Sequence, residues 1–277
     1  MSKKNPKSKG KKALIVLAVI FAVLALLLLG AYLFVSRALP HRTSARVVRQ
    51  AFAERPGMYI SWQPYAKTDL RLSGEIQTVG TDSFSITLPA AFTQTTDADS
   101  AENSVYAYMM GDNDDTRVGV IVSVPFFGRE EESEYKRLML EQSILYGYSA
   151  KKAFGVSLKD RYSMDLVTNS LDLDNLADDD VYTAYLFTSG IGIMKDMPIG
   201  IAAQTIYKID TPQYNGFIYV YSKDADAEKG TPARTMYVME VYTPDNRFFP
   251  YTVTVPSITG DLSEADVYAI FNSFQVK

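Results

Sequence analysis

The stretch VYAYMMGDNDDTRVGVIVSV, residues 105–124, decides the fold class. Two runs rich in β-branched and aromatic residues, Val105–Met110 and Val118–Val124, flank the turn cluster Gly111-Asp112-Asn113-Asp114-Asp115. Such a pattern reads as an antiparallel hairpin. In its second arm Val118, Val120, Val122 and Val124 share one face, and Gly119, Ile121 and Ser123 share the other. Both faces are tolerably apolar, so this strand is expected inside a sheet covered on both sides.

Working outward, further strands are expected. Before the hairpin they lie at Ile60–Tyr65, Asp69–Thr78 and Ser83–Leu88. After it they lie at Tyr162–Thr168, Val181–Thr188, Ile199–Ile209, Gly216–Ser222, Thr235–Tyr242 and Tyr251–Val255. In the segment Gly216–Ser222, Phe217, Tyr219 and Tyr221 alternate with Ile218 and Val220. Two helices interrupt the strands. Glu130–Tyr146 opens with acidic residues, as the helix dipole favours, and carries Tyr135, Leu138, Met139, Gln142 and Leu145 at helical spacing, with Gly147 placed to end it. The closing helix starts at Ser263, an N-cap with Asp266 three residues on, and continues as a Val267, Ile270, Phe271, Phe274 stripe. Many antiparallel strands with separated helices read as α+β.

Ahead of this domain, Ala13 to Val35 run for 23 residues without a charged, Asn, Gln or Pro side chain. As a helix rising about 1.5 Å per residue, the run is long enough for a hydrocarbon core of about 30 Å. Six lysines, Lys3, Lys4, Lys7, Lys9, Lys11 and Lys12, precede it. A cleaved signal peptide has a shorter apolar region, and Arg37 would sit inside the cleavage site. The organisation expected is therefore a basic cytoplasmic tail (residues 1–12), a single transmembrane helix (13–35), a juxtamembrane linker with a short helix (36–58) and an extracytoplasmic α+β domain (59–277). The short basic tail stays inside and the large domain crosses, which puts the chain at the cell membrane with its N-terminus cytoplasmic.

The chain has 28 basic and 32 acidic residues, one histidine and no cysteine, for a net charge of −4. The tail holds +6 and residues 13–55 hold +4, which leaves −14 on residues 56–277. So acidic a domain argues against nucleic acid as a partner. The membrane, met through residues 13–35, is the partner the sequence names, together with an envelope protein of unspecified identity. In the linker, Arg42, Arg46 and Arg49 recur at near-helical spacing between Thr43 or Ser44, placed to cap a helix, and Pro56-Gly57, placed to stop it. They form either a lipid-facing collar or the solvated face of a stalk.

The composition excludes several chemistries. Without cysteine there is no thiol nucleophile and no thiolate metal site. The single histidine, His41, lies in the linker, so histidine triads and histidine acid–base work have no place in the domain. Ser133–Lys136 and Ser149–Lys152 match Ser-x-x-Lys, a pattern that chance supplies about once in a chain this long, and the companion motifs are missing. Asp112, Asp114 and Asp115, and Asp172, Asp174 and Asp178–Asp180, bunch without the spacing of a calcium-binding hand. No catalytic, metal or cofactor residue is assigned, and no cofactor is expected. Two candidate contact surfaces remain. One is apolar: Ile191, Ile193 and Met194 in a glycine-rich loop, with Phe126 and Phe127 elsewhere, which is either an exposed patch for a partner or core filling. The other is a tyrosine platform drawn from Tyr182, Tyr185, Tyr219, Tyr221, Tyr237 and Tyr242, or else ordinary sheet tyrosines.

Phe84-Ser85-Ile86-Thr87-Leu88-Pro89 followed by Phe92, together with the closing Ile270-x-x-Ser273-Phe274, resembles the opening strand and final helix of PsbP-like domains. The resemblance covers roughly residues 81–277. It implies a three-layer sandwich with helices on both faces of an antiparallel sheet. The family is best known from photosynthetic assembly and includes secreted and anchored relatives of unknown role. The chain departs from the family pattern in its acidic insertion at Leu171–Asp180 and its apolar loop at Ile191–Met197. The function expected is thus a non-catalytic binding or assembly module of the cell envelope. The alternative is a glycan hydrolase built on a pair of carboxylates.

Overall fold

The structure is a computed structural model, and it describes residues 7–33, 61–95, 104–111, 118–125, 129–170, 203–223, 234–256 and 262–277. Several sequence expectations lie outside these residues: the Arg42, Arg46 and Arg49 collar, Phe126 and Phe127, both acidic bunches, the strand at Val181–Thr188 with Tyr182 and Tyr185, and the Ile191, Ile193 and Met194 loop.

The first element is helix α1, Lys7–Leu33. Its window Ile15–Tyr32 is long and apolar enough to cross a membrane, and none of it is buried against the protein. Among the described residues eleven strands follow, interrupted by three helices. The strands are β1 (Gln63–Pro64), β2 (Ile76–Gly80), β3 (Phe84–Pro89), β4 (Thr93–Gln94), β5 (Val105–Met110), β6 (Val118–Ser123), β7 (Ala203–Asp210), β8 (Asn215–Lys223), β9 (Arg234–Thr243), β10 (Asn246–Val255) and β11 (Gln275–Val276). The helices are α2 (Arg129–Phe154), α3 (Arg161–Thr168) and α4 (Glu264–Ser273).

Eight strands form one sheet in the order β1-β7-β8-β9-β10-β6-β5-β4, and β11-β3-β2 form a second. All pairs are antiparallel except β1 with β7. The 105–124 hairpin is present as β5–β6, and β6 is internal, between β10 and β5. The architecture is therefore mixed, with a large antiparallel-rich sheet and few helices.

The main core lies between the large sheet and the small sheet with α4. Alternation places Phe84, Ile86 and Leu88 of β3 inward, against Val120, Val122, Ile218, Met239, Val241 and Val253 of the large sheet and Val267, Ile270 and Phe271 of α4. The α4 capping box forms as its sequence requires, with Ser263 Oγ accepting from Asp266 N and Asp266 accepting from Ser263 N. At the other end Ser273 Oγ accepts from Thr87 N, and Phe274 packs on Phe84 at 6.1 Å between ring centres.

Three expectations are corrected. Tyr162–Thr168 is not a strand but the core of α3. Asp160 caps it, accepting from Ser163 N at 2.8 Å and Ser163 Oγ at 2.7 Å. A short polar residue that binds the N3 amide starts a helix whatever the alternation downstream. Helix α2 does not stop at Gly147 but runs to Phe154, and Gly155, at φ +68, ends it by donating to Lys151 O. Gly147 has no positive φ, so it costs helix propensity without terminating anything. The early strands shrink to β1 and β2, because the intervening residues 65–75 form a strap.

That strap wraps the open edge of the large sheet. Trp62 donates its backbone N–H to Asn169 O and its indole N–H to Ser170 Oγ on one face. β1 then pairs with β7. On the other face, Tyr65 donates to Asn272 Oδ1, and Asn272 Nδ2 donates to Lys67 O and Leu70 O. An edge strand left open invites pairing with another chain, and the strap closes this one.

Candidate functional site: a tyrosine and carboxylate face

Register decides what the two faces of the large sheet carry. Phe217 of β8 pairs with Glu240 of β9, which pairs in turn with Thr252 of β10. With side chains alternating, Phe217, Tyr219, Tyr221, Glu240 and Tyr242 all point away from the main core. Gly216 allows β8 to sit this close to β9, since a Cβ there would lie 1.9 Å from Glu240 O. Phe217 and Tyr242 form a second, smaller core with Tyr162 and Ile206, against which Trp62, Leu166, Tyr219 and Tyr221 pack. The Tyr219 and Tyr221 rings stack at 6.1 Å.

Helix α3 crosses this face and makes one polar attachment to each element beneath it. Asp160 accepts from Arg247 Nε of β10 at 2.7 Å, and the same guanidinium lies 4.5 Å from the Tyr162 ring centre. Asp165 accepts from Tyr242 Oη of β9 at 2.5 Å and pairs with Arg161 Nε at 3.1 Å. Asn169 donates to Tyr219 Oη of β8 at 2.9 Å, and Ser170 receives the Trp62 indole. Asp165 and Asn169 are one helical turn apart and share a side of α3, while Asp160 reaches its strand from the extended N-cap.

The electrostatics follow from burial. Desolvation raises the Asp165 carboxyl, and Arg161 and the Tyr242 hydroxyl work against that rise. Glu240 is pushed up to about 7, first by desolvation and then by the charge of Asp165, with Arg161 opposing. Burial is also the first cause of the raised Tyr219, Tyr221 and Tyr242 phenols. Among the described residues no hydrogen bond or ion pair is made to Glu240, unlike Asp165. Among the described residues, the Tyr268 hydroxyl is the one fully enclosed polar side-chain atom lacking a partner. Glu240, Tyr219 and Tyr221 are partly exposed yet strongly desolvated.

The sequence-derived platform is split by this geometry. Tyr219, Tyr221 and Tyr242 share the α3 face, whereas Tyr237 lies on the main-core face. Asp160, Arg161, Asp165, Glu240 and Arg247 belong to the site and are missing from the sequence-derived candidates. Glu240 carried a readable signal, being the only acidic residue within the strand Arg234–Thr243. Among the described residues no three His, Cys, Asp or Glu side chains converge as a metal site.

A second, smaller feature lies where the strap meets α4. Lys67 Nζ sits 3.7 Å from the Tyr268 ring centre and 5.4 Å from that of Tyr207, and pairs with Glu264 at 3.0 Å. Beside it is a cavity of about 360 Å³ that Asp69 and Leu70 also line. Burial first, and then the neighbouring Tyr207, push the pKa of the Tyr268 phenol upward, and its hydroxyl has no hydrogen-bond partner among the described residues. On α2, Leu140 and Ile144 are 62% and 75% exposed, one turn apart.

No protein-family model matches the chain, and no curated protein matches it in sequence.

Proposed function

We propose that this chain is a single-pass, membrane-anchored module of the cell envelope that binds a partner rather than transforming a substrate. Its N-terminus is cytoplasmic and its domain extracytoplasmic. The observation that carries this reading is the unpacked apolar window Ile15–Tyr32 ahead of a domain whose large sheet carries a tyrosine-rich face under α3. We read the domain as PsbP-like. Supporting this, the two stretches that carry the resemblance meet in space, with Ser273 bonded to Thr87 and Phe274 packed on Phe84.

One observation favours a second reading, a glycan hydrolase. Glu240, held near neutrality beside Asp165, has the acidity that a general acid needs at pH 7. A two-carboxylate mechanism needs both groups on the scissile bond, however. Asp165 is committed to Arg161 and Tyr242, which leaves one carboxylate open. The binding reading is therefore preferred.

The test is site-specific photo-crosslinking in membranes, with the crosslinker at Tyr221, at Ile193 or, as control, at Gln213. A discrete adduct from Tyr221 or Ile193 and none from Gln213 is expected. Adducts at equal yield from all three overturn the binding reading, as does glycan hydrolysis by the purified chain that Glu240→Gln abolishes. For topology, protease added to intact cells is expected to remove the domain, and protection until lysis would reverse the orientation.

A further inference from the structure

One row of residues on α2 stands apart from the packing of the domain. Ser133, Arg137, Leu140, Ile144, Gly147 and Lys151 recur at alternating steps of four and three, so they line one side of the helix over most of its length. Leu140 and Ile144, at the centre of the row, are the two large exposed apolar side chains of this helix, and Arg137 and Lys151 are exposed with them. The side that α2 turns to the domain is a different one. Met139 and Ala150 pack there with Leu158, Met164 and Val167, about a third of a turn away from the row.

Alternating steps of four and three form the seam of a two-helix coiled coil. This seam is complementary to itself when reversed. A two-fold axis midway between Leu140 and Ile144 sets Leu140 of one copy against Ile144 of the other, Arg137 against Gly147, and Ser133 against Lys151, each pair occurring twice. Apolar side chains then meet at the centre. The end that carries exposed Glu134 meets the end that carries Lys151, so the charges are opposite. Gly147 gains a reason. A Cβ there would meet only Ser143 Oγ, at 3.6 Å, so nothing packed around it demands glycine, which costs about 1 kcal/mol against alanine inside a helix. Opposite a second copy, the missing side chain leaves a notch for Arg137, whose charge Glu141 already meets at 2.7 Å. A parallel pair would instead set Arg137 on Arg137, Lys151 on Lys151 and a void at Gly147. We propose that α2 is a dimer interface between two copies of this chain, paired antiparallel through this row. On the anchored reading both copies share one membrane plane, which raises their effective concentration and lets a short seam suffice.

The chain has no cysteine, so single-cysteine variants report without background. Full-length Ser133→Cys, Lys151→Cys and an equal mixture of the two are oxidised in non-ionic detergent. The mixture is expected to give a disulfide-linked dimer and neither variant alone, because the two ends of the row lie about 27 Å apart along the helix, whereas a disulfide spans less than about 7 Å between Cα atoms. Sedimentation of the wild type should show a monomer–dimer equilibrium in the micromolar range, which Ile144→Asp and Gly147→Leu each weaken at least about tenfold. Ile144→Asp changes an exposed position and should keep the Trp62 spectrum and the cooperative melt. Gly147→Leu should weaken the dimer while raising the melting temperature of the monomer, a split that loss of folding cannot produce.

A wild type that stays monomeric across that range overturns the proposal, as happens if another segment or another protein covers the row. A dimer undiminished in Ile144→Asp overturns it too, since the copies then pair elsewhere, through α1 for example. Single variants that crosslink as well as the mixture overturn the antiparallel pairing. A Tyr221 crosslink to a different protein stands or falls separately from each of these outcomes.

Discussion

The two faces of the large sheet are stabilised in opposite ways. Against the small sheet and α4, aliphatic and phenylalanine side chains predominate, from Phe84 and Val253 to Phe271, with tyrosines such as Tyr237 and Tyr268 among them. Under α3, tyrosines replace the aliphatics, and each hydroxyl or amide contact ties the helix to a particular strand. Apolar burial is non-directional and tolerates small shifts. A hydrogen-bonded network does not, because a displaced member leaves its partner unsatisfied. The first face holds the sheet together, while the second sets where α3 lies.

Substitutions can break or sharpen that contrast. On the dry face, Phe271→Ala is expected to cost about 3–5 kcal/mol, the usual result of emptying a buried aromatic site. Urea unfolding of the full chain in non-ionic detergent, followed by Trp62 fluorescence, checks this. On the polar face, Asp165→Ala strands the Tyr242 hydroxyl and removes the Arg161 ion pair, for about 2–3 kcal/mol by the same assay. Its distinguishing mark is a shift in the Trp62 spectrum before global unfolding, which Phe271→Ala should lack.

Glu240→Gln should act in the opposite sense. The folded carboxyl titrates near 7 against an ordinary 4.5, so the folded state binds more protons than the unfolded state between those values. Wild-type stability therefore falls as the pH rises from 4.5 through 7. The amide variant escapes this loss and should be more stable above pH 7, by on the order of 2 kcal/mol. Its advantage should vanish near pH 4, and urea midpoints measured across that range decide the matter. The smallest effect is expected at the strap, where Lys67→Met removes a partly exposed ion pair and a cation–π contact for about 0.5–1 kcal/mol. Thermal melts resolve a change of that size.

Legibility in the sequence follows the same contrast. The dry face repeats simple periods: alternation in β3, β6 and β8, and the capped stripe of α4 are all present where the pattern places them. The polar face is assembled from residues far apart in the chain, with Asp165 and Glu240 separated by 75 positions, and no local period links them. In α3, Tyr162, Met164 and Leu166 alternate like a strand. Asp160 followed by Ser163 was the stronger signal, because a helix cap acts on specific amides while alternation is only a pattern. Gly147 misleads for a related reason: a glycine ends a helix where the backbone turns left-handed, as at Gly155, and not merely by its presence.

The strap gives the tether a mechanical position in the molecule. Residues 34–60 limit the domain to roughly 100 Å from the end of α1 at full extension. A pull along that leash arrives first at Ser61 and Trp62. Trp62 passes it to Asn169 and Ser170, and Asn169 passes it to Tyr219. Tension on the tether thus meets the hydrogen bonds around α3 first and reaches the main core only further along the strap, where Tyr65 bonds Asn272.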